Sequence, residues 1–302
     1  MSYESSSTME PIHFEDERGG CLSLLEDAGC YFSPNVQPEH IVNLQNFKAR
    51  SDDILLVTYP KSGTHWLSEI ISMLVNGCHR LTKDTMKHLE YLPVEVLDSM
   101  PSPRVICSHL PYPRIPLDFH RKRAKIVVCM RNPRDVAVSY FKFISNLNFW
   151  NYSGYWDGFV PLFINGNLPY NSWFEHTDTW LKVARSGKHN IHVVFYEDLH
   201  RDFNSTVSRL ADFLDVDYTP ELIDAVHIET TFDNMKSHKD DFTLPLSKNG
   251  ESPIYRKGEV GDWVNWFTHE QIDQIDQEME AWGLHLDNRI KYFTDQPNPT
   301  ST

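Results

Sequence analysis

No stretch of this chain approaches the ~18 consecutive apolar residues that a membrane-crossing helix needs, so no span is expected. Basic residues are scarce. Twenty-eight Lys and Arg against 42 Asp and Glu leave a net charge of −14, which argues against a general nucleic-acid or anionic-membrane surface. The five cysteines (Cys21, Cys30, Cys78, Cys107, Cys129) are odd in number and share no C-x-x-C spacing, so they read as reduced small hydrophobes rather than a disulfide framework. Fifteen histidines are scattered without a ligand-like pairing, and His189 and His192 merely flank a strand start, so no metal is expected. Residues 1–7 show no basic segment followed by an apolar one, and the expected location is cytoplasmic. On that footing the sequons at Asn151 and Asn204 are chance matches.

Hydrophobic content of 40% with 13% aromatics over 302 residues is ample for a sizeable core. Short, near-continuous apolar runs at 54–58, 104–107, 125–130 and 191–195 read as strands buried on both faces of a parallel sheet. Helical patterns at 133–146, 173–185, 203–214 and 269–281 alternate with them. The expected fold is therefore α/β: a single domain with a central, mostly parallel sheet flanked by helices. Residues 1–30 are expected to be a flexible N-terminal segment, 31–292 the folded domain and 293–302 a C-terminal tail. Residues 238–254 lack periodicity and read as a mobile loop, which together with 78–100 is expected to cap a pocket.

Ligands in such folds bind beyond the carboxyl ends of the strands, so the residues following each run should converge. After the first run comes Tyr59-Pro60-Lys61-Ser62-Gly63-Thr64-His65-Trp66, a strand–turn–helix frame in which backbone N–H groups can hold an anion. It is not a Walker A loop, because Lys61 precedes Ser-Gly-Thr and no Gly stands upstream. Alone, it fits an ordinary capped turn equally well. The other runs deliver Ser108-His109-Leu110-Pro111, Arg131-Asn132-Pro133-Arg134-Asp135 and Tyr196-Glu197 to the same edge.

Taken together these residues resemble the cytosolic sulfotransferases, over roughly residues 30 to 290. Three motifs carry the resemblance. Tyr59-Pro60-Lys61-Ser62-Gly63-Thr64-x-Trp66 looks like the family's 5′-phosphosulfate loop, Arg131 to Ser139-Tyr140 like its 3′-phosphate element, and Arg256-Lys257-Gly258-x-x-Gly261-Asp262-Trp263 like its C-terminal cofactor loop. The resemblance implies the P-loop-kinase-like sulfotransferase fold. It also implies transfer of a sulfuryl group from 3′-phosphoadenosine 5′-phosphosulfate (PAPS, leaving PAP) to a small, aromatic or steroid-like acceptor. Under it, His109 is the general base, Lys61 stabilises the leaving group, and Ser139 binds Lys61 or the 3′-phosphate. Cofactor contacts fall to Lys61, Ser62, Gly63, Thr64, His65, Trp66, Arg131, Ser139, Arg256, Lys257 and Gly258. Trp66, Tyr196, Thr230, Phe232 and Met235 would hold the adenine. Phe32, Phe143 and His109 would line the acceptor pocket; Tyr31, Tyr91, Phe141, Phe149, Trp150 and Tyr152 are further aromatic candidates.

Two positions depart from the pattern. Many relatives carry Lys two residues before the catalytic His, where this chain has Cys107, a thiol that is neutral at pH 7. A catalytically silent or very slow PAPS-binding relative is the alternative that this departure raises. The family's dimer segment is matched poorly, by Val264, Thr268, His269 and Asp273, which leaves monomer or dimer open.

Overall fold

A computed structural model describes residues 9–82, 86–242 and 244–284; the expected tail at 293–302 lies outside the described residues. Four strands, β4 (Ile54–Thr58), β5 (Val105–Ser108), β6 (Lys125–Met130) and β7 (Ile191–Phe195), form a parallel sheet in the order β5-β4-β6-β7. The register aligns Leu56 with Cys107 and Val127, and Val128 with Val193. All five residues of β4 are buried, as expected for a central parallel strand covered on both faces.

Period-two alternation divides the side chains of these strands between two cores. Leu55, Val57, Ile106, Ile126 and Val128 enter one hydrophobic layer. Ile54, Leu56, Cys107, Val127 and Cys129 enter the other, against Leu67, Ile70, Ile71 and Leu74 of the helix Thr64–Asn76. The helices Pro133–Asn146, Trp173–Arg185, Phe203–Leu214 and His269–Ala281 have the bounds expected from their apolar spacing. Their starts are fixed by local chemistry: the side chains of Asn132, Ser172, Asp202 and Thr268 each accept a first-turn N–H. Thr268 and Gln271 complete a capping box, so the one residue matching the dimer pattern serves its own helix.

The N-terminal region departs from expectation. Residues 10–32 are not a flexible leader: β1 (Glu10–Glu15), β2 (Cys21–Asp27) and β3 (Cys30–Phe32) form an antiparallel sheet. Leu22 and Leu24 point into the main core, and Ser23 between them faces the other way. The sheet is tied down by polar bonds: the Tyr152 hydroxyl donates to Asp16 at 2.8 Å, and the Tyr170 N–H donates to the Tyr31 carbonyl at 2.7 Å. Arg104, the first residue of the expected run 104–107, stands just before β5 and is wholly buried, bonded through Nε and Nη2 to Asp53 (2.7 and 2.6 Å). No helix among the described residues is long and apolar enough to cross a membrane.

Candidate active site

The chain leaves β4 at Thr58, turns through residues 59–63 and enters the helix Thr64–Asn76. Two residues of the turn take the left-handed conformation, Lys61 (φ 68°) and Gly63 (φ 101°). Gly63 must be glycine for a second reason: a Cβ there would stand 2.7 Å from the Tyr196 ring. Lys61 is held in its strained shape by Arg131, which donates to the Lys61 carbonyl at 3.0 Å. The first-turn N–H groups of Thr64, His65 and Trp66 are those a helix leaves without an internal acceptor, and these three residues line a cavity.

This turn forms one wall of a cavity of about 700 Å³ at the carboxyl edge of the sheet. Lys61, Gly63, Thr64, His65 and Trp66 line it from the turn, and His109 from beyond β5. Arg131 and Ser139 line it from the end of β6 and two turns into the next helix. Tyr196, Thr230, Phe232 and Met235 contribute from the β7 side, with Arg256, Lys257 and Gly258 closing over them. Phe143 also faces the space.

Two expected site residues are not in the wall. Ser62 is wholly buried beneath the turn with its hydroxyl unpartnered, and its carbonyl accepts from the Cys129 thiol at 3.1 Å. Phe32 is wholly buried in the core, edge-on to Tyr170 at 5.8 Å, because its alternation on β3 points it inward. Of the other aromatic candidates, Tyr91, Phe149 and Trp150 line the cavity, whereas Tyr31, Phe141 and Tyr152 do not.

Electrostatics within the cavity are those of crowded, partly buried cations. Burial, then Arg131 and Arg256, push Lys61 down to about 7. His65 is driven well below its ordinary range by burial and then by Lys61. Arg131 stacks over Tyr196 at 4.2 Å and donates to the Glu259 carbonyl at 3.1 Å, with its Nε left unpartnered. The Trp66 indole meets Tyr196 edge-on at 5.4 Å and keeps a buried, unpartnered N–H. At Gly258 (φ +67°) a Cβ would lie 2.3 Å from the Phe232 ring, so the backbone there closes directly onto an aromatic face.

Asp135 accepts from the N–H groups of Gly261 (2.7 Å) and Trp263 (3.2 Å), fixing the base of the 256–263 loop to the helix that carries Ser139. Asp262 pairs with Arg256 at 2.7 Å and also with Lys257; against the upward pull of burial, these contacts hold its carboxyl down to about 2.

The His109 ring is fixed by Thr58. Its Nδ1 lies 2.8 Å from the Thr58 carbonyl, which can only accept, so Nδ1 carries the proton and Nε2 the lone pair. Burial, with His88 adding to it, pushes this imidazole down to about 4, so the ring is neutral at pH 7. Beneath it lies Glu90, wholly buried, whose Oε1 accepts the His109 backbone N–H at 2.7 Å. Neither Glu90 nor His88 belongs to a motif, and only their positions beside β5 reveal them. Cys107, by contrast, packs in the other core, its thiol pushed up to about 12 by burial.

A strand–turn–helix cradle, cations from two further segments and an aromatic cage at one edge of a parallel sheet define an α/β protein of the P-loop-like class. The chain matches the sulfotransferase domain model over residues 51–287. It is 37% identical over 272 residues to sulfotransferase 1E1 of Bos taurus, an alignment covering 83% of this chain and 92% of that one. To the amine sulfotransferase of Oryctolagus cuniculus it is 34% identical over 268 residues, covering 84% and 88%. Among solved structures, a mouse sulfotransferase in complex with PAP superposes with a TM-score of 0.78 at 30% identity, over 90% of this chain and 97% of that one. The chain belongs to the sulfotransferase family.

Proposed function

We propose that this chain moves a sulfuryl group from PAPS to a hydroxyl or amine of a small acceptor, with no metal required. The observation that carries the reading is the pairing of His109 and Lys61 on one cavity: a neutral imidazole with a fixed tautomer and a half-buried lysine. The similar mouse structure holds PAP, and the cavity fits such an anion, since Trp66 and Arg131, both in its wall, each keep an unpartnered buried N–H. PAPS supplies an activated sulfuryl group on a phosphate leaving group.

Lys61 and the first-turn N–H groups bind and neutralise the 5′ end, while Arg131, Ser139, Arg256 and Lys257 take the 3′-phosphate. Trp66, Tyr196, Thr230, Phe232 and Met235 hold the base. His109 Nε2 accepts the acceptor's proton as the acceptor oxygen attacks sulfur, and Lys61 stabilises charge on the departing oxygen. Phe143, Phe149, Trp150 and Tyr91 offer flat apolar faces that suit a phenolic or steroid-like acceptor. The test is sulfuryl transfer from labelled PAPS to a panel of phenols, alcohols and amines.

A PAPS-binding relative without turnover is the second reading, favoured by the neutral, buried Cys107 thiol. PAPS binding with no transfer to any acceptor would select it.

A further inference from the structure

The residue two before His109 contributes no charge, because alternation sends Cys107 into the core shared with the helix Thr64–Asn76. A second imidazole stands beside His109 instead. Residues 87–89 run along β5, with the Cys107 N–H donating to the Lys87 carbonyl and the Leu89 N–H donating to the Cys107 carbonyl, both at 2.8 Å. This clamp sets the His88 ring 4.8 Å from the His109 ring, centroid to centroid, and both rings line the cavity. Two residues further on, Glu90 Oε1 takes the His109 N–H at 2.7 Å and lies 3.8 Å from His88 Nδ1. Glu90 Oε2 is buried without a partner.

A buried carboxylate with an unsatisfied oxygen demands a nearby cation. Burial works against its ionisation, yet His88 and His109 hold Glu90 below the usual carboxylate range. The surrounding groups offer little competition. Tyr91 stands edge-on to His88 at 5.5 Å, and Tyr170 meets His109 at 5.2 Å. From the helix Thr64–Asn76, His65 is held neutral, and the nearby Lys239 is bound to Glu69 at 2.8 Å. Lys61 adds positive potential from the cradle side.

We propose that His88 and His109 share the single carboxylate of Glu90, and that His88 is thereby a positioning residue that sets how readily His109 takes the acceptor's proton. When His88 is charged it neutralises Glu90 and repels a second imidazolium. When His88 is neutral, the carboxylate is free to stabilise the imidazolium that forms on His109. No bond of the reaction is made to His88; the proton passes from the acceptor to His109 Nε2, and the sulfur–oxygen bond to the leaving phosphate breaks as the acceptor bond forms.

The inference rests on His109 being the base, so its test has a readout independent of turnover. NMR titration of the His109 ring in the full chain is compared with the acid limb of kcat, for wild type, His88→Gln and Glu90→Gln. His88→Gln should move both curves up by about one pH unit, and Glu90→Gln should move both down by a similar amount. His88→Lys, a permanent cation, should keep His109 at or below its wild-type position. A His109 titration unmoved in His88→Gln overturns the proposal even if Glu90→Gln fails to fold. Shifted titrations in a chain that transfers no sulfuryl group would instead overturn the enzymatic reading and leave the shared carboxylate standing.

Discussion

The ammonium of Lys61 sits 4.3 Å above the ring of Phe143, so the cation proposed to face the leaving group touches an aromatic side chain proposed to face the acceptor. Burial, then Arg131 and Arg256, bring Lys61 to about 7, and it is therefore only partly charged near neutral pH. Binding an anion favours the charged form. PAP affinity should fall as pH rises through about 7, and binding at pH 8 should take up about one proton, more than at pH 6. Calorimetry in buffers of different ionisation heat measures this, and equal uptake at both pH values would remove Lys61 from the anion site.

His109→Ala should lower kcat by about 10²- to 10⁴-fold, the usual range for losing a general base. PAP affinity should stay near wild type, because the ring is fixed by the Thr58 carbonyl, and the Glu90 bond to the His109 backbone N–H survives the substitution. Loss of PAP binding alongside turnover would reject the assignment of His109 as base.

Gly258→Ala would place a methyl group 2.3 Å from the Phe232 ring at a left-handed backbone position. Phe232 must then leave the base-binding cage. We expect PAP affinity to fall about tenfold, equivalent to ~1.4 kcal/mol, while circular dichroism remains unchanged. An unaltered dissociation constant would show that Phe232 does not contact the base.

Arg104→Met would strand Asp53 as an uncompensated buried charge. The expected cost is about 3–5 kcal/mol, with most of it recovered in Arg104→Met/Asp53→Leu. Urea unfolding measures both variants, and the prediction fails if the single variant unfolds at the wild-type midpoint.

The parallel sheet was legible because strands buried on both faces spell uninterrupted apolar runs, as Ile54-Leu55-Leu56-Val57 does. The cofactor side of the site was legible for a related reason: each run ends at the same edge, and Lys61, His109, Arg131 and Tyr196 follow directly. β1 and β2 were missed because their apolar residues are few and interrupted: His13 and Glu15 flank Phe14 in β1, and Ser23 parts Leu22 from Leu24 in β2. Phe32 was misplaced because an aromatic side chain does not announce which face of a three-residue strand it occupies. Glu90 and His88 are joined to the site by hydrogen bonds to β5, across a separation that local pattern cannot span.

Asp262, outside the cavity wall, sets a carboxylate against two of the cations that line it. Arg256 and Lys257 are already engaged with that carboxylate, so an arriving phosphate must compete for them rather than fill a vacancy. Under the proposed function, each departing nucleotide would leave behind cations with a waiting replacement partner, an arrangement that would shorten the stay of the spent product.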